Sequence, residues 1–553
     1  MILTGAKMIV GNSLGEISGS GAPHEVPDLA ALEKLLPSRP AMTKLLWHVG
    51  CAALYIGLVA LLVHCVRMEL EIPGRAMLFA VGILGIWRLS WFLTNVIRAA
   101  VYVRWRFPRL RRAADALGNE GRAGEVYVLI TSYKMRPEVT LRVFQALFAE
   151  AARYGRPVRV MASMADASEQ ALVQTIFAQV EPRADLQLEL FTQSGAGKRA
   201  AMVEVLEAIR GRQPAADAVV AFMDGDTLLE AGSFGRCFPF FRLDPGLGAL
   251  TTDERAITTG TCIAREWFDL RFAQRHLYMS SVGLANRVLT LTGRFCAFRA
   301  DIATDADFIH IIRQDHIDHW RLGRIEFLTG DDKSTWYWLL RAGWRMRYVP
   351  DVRAHTYDAL PARGFVWPTI SLMHRWYGNM LRTNGRALAL GPRVGCFVWW
   401  SLLEQRISMW TSLVGPAYCL LILTGRIHGL IAAYLLWTLG VKTTQSLLIG
   451  LPRRRVSPFY PFLLYYNQVV GAMVKIYMSF SLDRQRWTRQ GTGESVASGR
   501  RFNRILSPLF TATAFAALVA AVGMVALTKP QSRSLFDALQ TGVKIEAARN
   551  PAH

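Results

Sequence analysis

The apolar residues of this 553-residue chain are not spread evenly. They fall into membrane-length runs that bracket one long block with the character of a water-soluble domain, and this segregation constrains the fold more than any single motif does. Residues 45–66 and 76–97 are each long enough to cross a bilayer as a helix, which takes about 20 residues. Further runs of that kind stand near 407–424, 430–451, 458–482 and 505–527. Charged residues still make up 19 % of the chain, so the two populations must occupy different regions.

The block between the runs, from about 125 to 360, alternates strand and helix patterns. Residues 126–131 form a continuous apolar stretch of strand length, as a parallel strand buried on both faces requires. Residues 158–161, 186–191 and 218–223 repeat the pattern, with helical periodicity over 140–154 and 168–180 between them. Such alternation predicts a doubly wound parallel α/β sheet, with ligands outside the carboxyl ends of its strands.

The net charge is +22, from 64 basic and 42 acidic residues. Nucleic acid is not the expected partner, because the basic residues form no compact domain. They sit beside the apolar runs: Arg104, Arg106, Arg109, Arg111 and Arg112 after one, Arg453, Arg454 and Arg455 after another. Positive residues at cytoplasmic membrane edges account for most of this and place the α/β block inside the cell. The remainder can serve an acidic substrate or polymer. The seven cysteines show neither a CxxC nor zinc spacing, so reduced thiols are expected. The first forty residues lack the early apolar core of a cleavable signal peptide.

Strand ends then point to chemistry. The fourth strand pattern runs straight into Asp224-Gly225-Asp226. Two carboxylates there can present oxygen to Mg²⁺ or Mn²⁺ on a diphosphate, with glycine allowing close backbone approach; a polar turn fits the same triplet. Asp331-Asp332 precedes an amphipathic stretch, where either carboxylate can serve as a general base or simply favour a helix N-terminus. Lys198 follows Gly197 at a helix start without the spacing of an NTPase phosphate loop; it either neutralises a diphosphate or begins a helix.

The order Tyr133, Asp166, Gly197-Lys198, Asp224-Gly225-Asp226, Gly330-Asp331-Asp332, Arg375-Trp376 resembles the processive family-2 glycosyltransferases, which include cellulose, chitin and hyaluronan synthases. Residues 330–338 (GDDKSTWYW), 348–352 (YVPDV) and 375–384 (RWYGNMLRTN) resemble its alginate-forming branch more narrowly. The resemblance implies a GT-A-like, Rossmann-like catalytic domain over 120–365, after a cytoplasmic segment (1–44) and two transmembrane helices (45–103). It also implies interfacial helices over 366–406, a transmembrane channel over 407–527 with a loop near 487–490, and a tail over 528–553.

By position, the family implies Tyr133 and Asp166 near the nucleotide base, Asp224 and Asp226 on the diphosphate, and the metal on Asp226 with Asp224. Lys198, Arg375 and Arg489 (in the Trp487-Thr488-Arg489-Gln490 loop) would hold the donor's phosphates. Asp332, beside Asp331, would be the general base. Trp376 and the stretch 292–298 with Cys296 would meet the acceptor. Leu372 stands where the family carries glutamine, which leaves that acceptor contact open. The implied donor is GDP-mannuronate and the product a β-1,4 polymannuronate chain carried across the bacterial inner membrane. The implied partners are a cyclic di-GMP-sensing membrane co-polymerase and periplasmic and outer-membrane export proteins. A UDP-sugar synthase of hyaluronan, chitin or cellulose type shares the same catalytic parts, and an inactive membrane scaffold is the reading from another class.

Overall fold

The computed structural model describes residues 75–484, apart from 182, 184, 194–196, 259, 327, 424–427 and 454, together with 53, 56–61, 63, 64 and 513. Helix α1 (Arg75–Val101) leads to the α/β block. There β1 (Val126–Ser132), α2 (Pro137–Tyr154), β2 (Val158–Met164), α3 (Ala167–Phe177), β3 (Leu186–Thr192), α4 (Lys198–Gly211) and β4 (Val219–Asp224) follow in strict alternation. Every residue of β1 is buried, which is why its sequence shows no polar alternation. Strands β3, β2, β1 and β4 pair in parallel, as the alternation predicts.

The rest of the sheet departs from that expectation. After β4 come β5 (Thr227–Leu229), β6 (Leu247–Thr258), α5 (Cys262–Gly283) and β7 (Phe295–Arg299). A two-stranded hairpin of β8 (Ile317–His319) and β9 (Gly323–Ile325), α6 (Asp331–Arg341) and β10 (Arg345–Asp358) complete the block. The eight-stranded sheet has the order β3-β2-β1-β4-β7-β6-β10-β5. Strand β7 runs antiparallel to both β4 and β6, so the sheet is mixed rather than parallel throughout. No crossover helix joins β4 to a parallel neighbour; α5 and a loop bring the chain back in the opposite direction, which β7 then records.

The main core lies around this sheet, with Val128, Ile130, Phe144, Val160, Val205 and Phe222 among its buried members. Each such side chain contributes about 1.5–3 kcal/mol by leaving water. A second core unites α5 with α7 (Val366–Ala389), α8 (Cys396–Leu423), α9 (His428–Gly450) and α10 (Tyr460–Phe480). Trp267, Phe268, Met373, Leu464 and Met478 are buried there. Among the described residues no helix is long and apolar enough to cross a membrane. Helix α1 overlaps the run at 76–97 but also carries Arg75, Arg88 and Arg98. The runs at 45–66 and 505–527 fall almost wholly outside the described residues.

Some of the basic residues assigned to membrane edges are tied into the α/β block. The Arg453 side chain is largely covered and pairs with Asp253 on β6 at 2.9 Å. Arg111 forks onto Asp351 on β10, with both nitrogens at 2.8 Å.

Candidate active site

One strand end and two helix starts converge on a cleft. Strand β4 delivers Asp224, α4 begins with Lys198, and α6 begins with Asp331 and Asp332. Lys198 Nζ stands 2.8 Å from Asp224 Oδ1 and 2.9 Å from Asp331 Oδ2, so one ammonium bridges the two acid motifs. Thr292, Gly293 and Cys296 line the same cleft together with Asp332.

Local sequence explains how the groups come so close. At Gly293 a Cβ would lie 2.7 Å from Asp224 Oδ2 and 2.9 Å from Lys198 Nζ, so a larger residue there would push this ion pair aside. The glycine of the Asp-Gly-Asp triplet is also required by packing: a Cβ on Gly225 would meet Ser132 Oγ at 2.5 Å, at the end of β1. Helix α6 is anchored by Trp336, which is buried and donates its indole N–H to the Val288 carbonyl at 2.7 Å. Lys333 Nζ donates to the Leu289 carbonyl at 2.7 Å and stands 4.6 Å from the Trp336 ring centre.

The charges in the cleft do not balance evenly. Burial would raise Asp331, but Lys198 and Arg199 outweigh it and hold its carboxyl below the usual range. Burial and the neighbouring Asp331 charge push Asp332 up to about 6. Asp332 accepts a long hydrogen bond, 3.4 Å, from the Thr290 hydroxyl. Burial pulls Lys333 down to about 8. Lys198 moves the other way, because its two carboxylates outweigh burial. The result is a fixed cation between two acids, and one carboxyl group of raised proton affinity at the edge.

The remaining expected residues lie around this centre. Asp226 follows Gly225 where the chain enters β5, and its carbonyl accepts the Tyr357 N–H at 3.1 Å. Its charge acts on Arg294, which pairs with Glu254 at 2.6 Å and Asp358 at 3.1 Å. Arg375 on α7 lies within electrostatic reach of Asp358. Tyr133 follows β1, with Lys134 Nζ 5.5 Å from its ring centre. Asp166 caps α3, accepting from the Ser168 N–H and hydroxyl, both at 2.9 Å, and these bonds hold it below the usual carboxylate range.

Trp376 stacks on Trp267 at 5.7 Å with the rings 19° apart, so an internal partner engages its ring. Cys296 is buried on β7, and burial pushes its thiol up. Leu372 belongs to the second core. Arg489 and the loop around it lie outside the described residues. Arg294, Asp358, Thr290 and Lys333 were not singled out from the sequence. Arg294 sits inside the stretch assigned to the acceptor, but the acids it holds are 40 and 64 residues away.

Among the described residues no group of three or more His, Cys, Asp or Glu side chains is arranged to hold a metal. Two carboxylates at one strand end nevertheless suit Mg²⁺ or Mn²⁺, which need only one or two when phosphate oxygens complete the shell.

The family described as glycosyltransferase like family 2 matches residues 123–379. The protein called glycosyltransferase alg8 of Pseudomonas syringae pv. tomato is 40 % identical over 420 residues, covering 76 % of this chain and 85 % of the relative. That of Azotobacter vinelandii is 39 % identical over 423 residues, with the same coverage. Among solved structures, a mannosyltransferase of Pyrobaculum calidifontis in complex with GDP-Man and Mn²⁺ is 16 % identical and covers 69 % of this chain and 98 % of its own. Its TM-score is 0.39, a likeness too distant to carry weight. The cleft lies in a GT-A-like block with a mixed sheet, within the residues the family model matches. The chain belongs to the Alg8 glycosyltransferases and is a family-2 glycosyltransferase of alginate synthesis.

Proposed function

We propose that the chain transfers mannuronate from GDP-mannuronate to the end of a growing β-1,4 polymannuronate chain in one inverting displacement. The observation that carries this reading is the single ammonium of Lys198 between Asp224 and Asp331, with Asp332 beside it at raised proton affinity. Asp332 takes the proton from the acceptor hydroxyl as that oxygen attacks the anomeric carbon. Lys198 and Arg375 face the departing diphosphate and oppose its charge. Tyr133 and Asp166, at the ends of neighbouring strands, border the base. Asp226 and Asp224 would hold Mg²⁺ or Mn²⁺, which would supply Lewis-acid stabilisation of the leaving group when bound. Cys296 and Trp376 border the acceptor, with Trp376 fixed in place by Trp267.

The enzyme is read as a multi-pass protein of the bacterial inner membrane with its catalytic block in the cytoplasm, passing the polymer outward. The apolar runs and their basic flanks support that placement. A cyclic di-GMP-sensing co-polymerase and export proteins are the partners implied by the resemblance. The test is donor-dependent polymer formation in membranes containing the chain and that co-polymerase, with the product identified chemically. Polymannuronate from GDP-mannuronate, absent in Asp332→Asn, is the expected result. Polymer from UDP-N-acetylglucosamine instead would overturn the donor, and export unaffected by Asp332→Asn would favour a scaffold.

A further inference from the structure

Asp315 lies between a short helix (Ala306–Arg313) and β8, is only 4 % exposed, and takes no part in the proposed transfer. Its carboxylate is nevertheless the meeting point of three helices that do. Arg386 of α7 forks onto it, with Nη1 donating to Oδ1 at 2.6 Å and Nη2 to Oδ2 at 2.9 Å. The buried Ser334 hydroxyl of α6 donates to the same Oδ2 and accepts from Arg199 Nη2 of α4 at 2.7 Å. Arg199 Nη1 donates to the Ile311 and Ile312 carbonyls, at 3.1 and 3.0 Å, near the end of the short helix.

Each partner is a chain neighbour of a group in the proposed reaction. Arg199 follows Lys198 directly. Ser334 stands two residues past Asp332, and its N–H donates to the Gly330 carbonyl at 3.1 Å, closing the helical turn that carries both acids. Arg386 shares α7 with Arg375 and Trp376. Its guanidinium also lies 4.4 Å from the Tyr337 ring centre, which ties α7 to α6 a second time. A buried ion pair is weak evidence for stability, because desolvation offsets the attraction. What it supplies here is geometry: a forked guanidinium admits one orientation, and the serine hydroxyl on the same carboxylate fixes α6 to it. Misplacement of reacting groups by about 1 Å can slow a reaction about 10²-fold.

We propose that Asp315 is a positioning residue for the transfer: through Ser334 and Arg386 it sets the Asp332 carboxyl against the acceptor at Trp376. The inference rests on the proposed roles of Asp332 and Trp376 and adds the group that aligns them. Losing Asp315 leaves Arg199 its two carbonyl bonds, so Lys198 stays in place for the donor. Transfer should therefore slow while the hold on the donor persists.

The test uses Asp315→Asn, Ser334→Ala and the pair Asp315→Asn with Asp332→Asn, in membranes that hold the chain and its co-polymerase. The readouts are kcat and KM for GDP-mannuronate from GDP release, both per folded enzyme. Asp315→Asn should lower kcat about 30-fold and leave KM within about twofold, as misalignment by a fraction of an ångström implies. Ser334→Ala keeps the ion pair, so it should fold even where Asp315→Asn does not, and should lower kcat about tenfold, the value of one hydrogen bond. Arg386→Lys, which keeps the charge and loses the fork, should retain more kcat than Arg386→Met. In the Asp332→Asn background, Asp315→Asn should cost no more than about twofold further, because an absent base needs no alignment. Unchanged kcat in both Asp315→Asn and Ser334→Ala would overturn the positioning role and leave the base assignment standing. So would an equal loss from Asp315→Asn in both backgrounds, the mark of a residue that only holds the fold. Turnover retained by Asp332→Asn alone would overturn the base assignment, and the positioning role with it.

Discussion

Two acid-rich clusters lie within this fold, and they differ in how their charge is met. In the cleft, Lys198 pairs with both Asp224 and Asp331, while Asp332 is left with raised proton affinity. On the other half of the sheet, Asp253 pairs with Arg453, and Glu254 with Arg275 at 3.1 Å and Arg294 at 2.6 Å. Asp358 shares Arg294 at 3.1 Å, and His276 stands 3.3 Å from Asp253. Acid counts alone would rank the two alike. Compensation separates Asp253 and Glu254 from Asp332: arginines hold the first two below the usual carboxylate range, whereas Asp332 keeps a raised proton affinity and can move a proton.

The sharpest way to break this contrast is Asp332→Asn. Losing a general base should lower turnover by about 10²–10⁴-fold. The same change should raise stability by about 1 kcal/mol at neutral pH, after allowance for partial exposure. The sign follows from the raised carboxyl: the folded state holds its proton up to about pH 6, so this group's contribution worsens as pH rises through that window. Activity should run oppositely and fall as pH drops through about 6, as a pH–rate profile would check. An unchanged melting temperature with lost activity would mean that Asp332 carries no such penalty.

Arg453→Met is expected to cost about 3–5 kcal/mol by leaving Asp253 buried without its partner. Asp253→Asn added to it should recover most of that loss, and turnover per folded molecule should stay near normal. Burial favours the protonated form of Asp253, but Arg453 and His276 outweigh it and hold the carboxyl low. Its stabilising contribution is therefore present above the ordinary carboxylate pKa and is lost on strong acidification. Thermal melts combined with GDP-release assays separate the outcomes, and lost turnover at full folding would make the Asp253 cluster catalytic after all.

Lys198→Met should destabilise by about 3 kcal/mol, since two carboxylates lose one cation. Unlike Arg453→Met it should also weaken donor binding, visible as a raised KM for GDP-mannuronate. The smallest change is expected at Leu372→Gln, which restores the residue common in the wider family. Here that amide would enter the second core and cost about 1–3 kcal/mol without improving polymer synthesis. Higher activity in this variant would show that the acceptor reaches that helix face.

Much of the cleft was legible because local pattern and chemistry agree there. Apolar strands such as β1 are buried on both faces, and strand ends with acids are polar interruptions a reader can see. The other half was not legible for a physical reason. Strand β6 carries Thr251, Thr252, Asp253 and Glu254 in sequence, all buried, which reads as a loop until their partners are known. Asp253 meets Arg453 across 200 residues, and no local periodicity encodes that pairing. Arg453 itself reads as a membrane-edge charge, and Trp376 as an open stacking face, until Asp253 and Trp267 are placed against them.

The Asp253–Arg453 pair also sets how this protein can be recombined. A chimera joined to a distant relative near residue 395 would take the sheet from one parent and the basic triplet from the other. Such a hybrid would inherit a buried acid without its cation unless both parents keep the pair. The catalytic block and the helices after it are therefore not exchangeable modules: they descend, and must be engineered, as one piece.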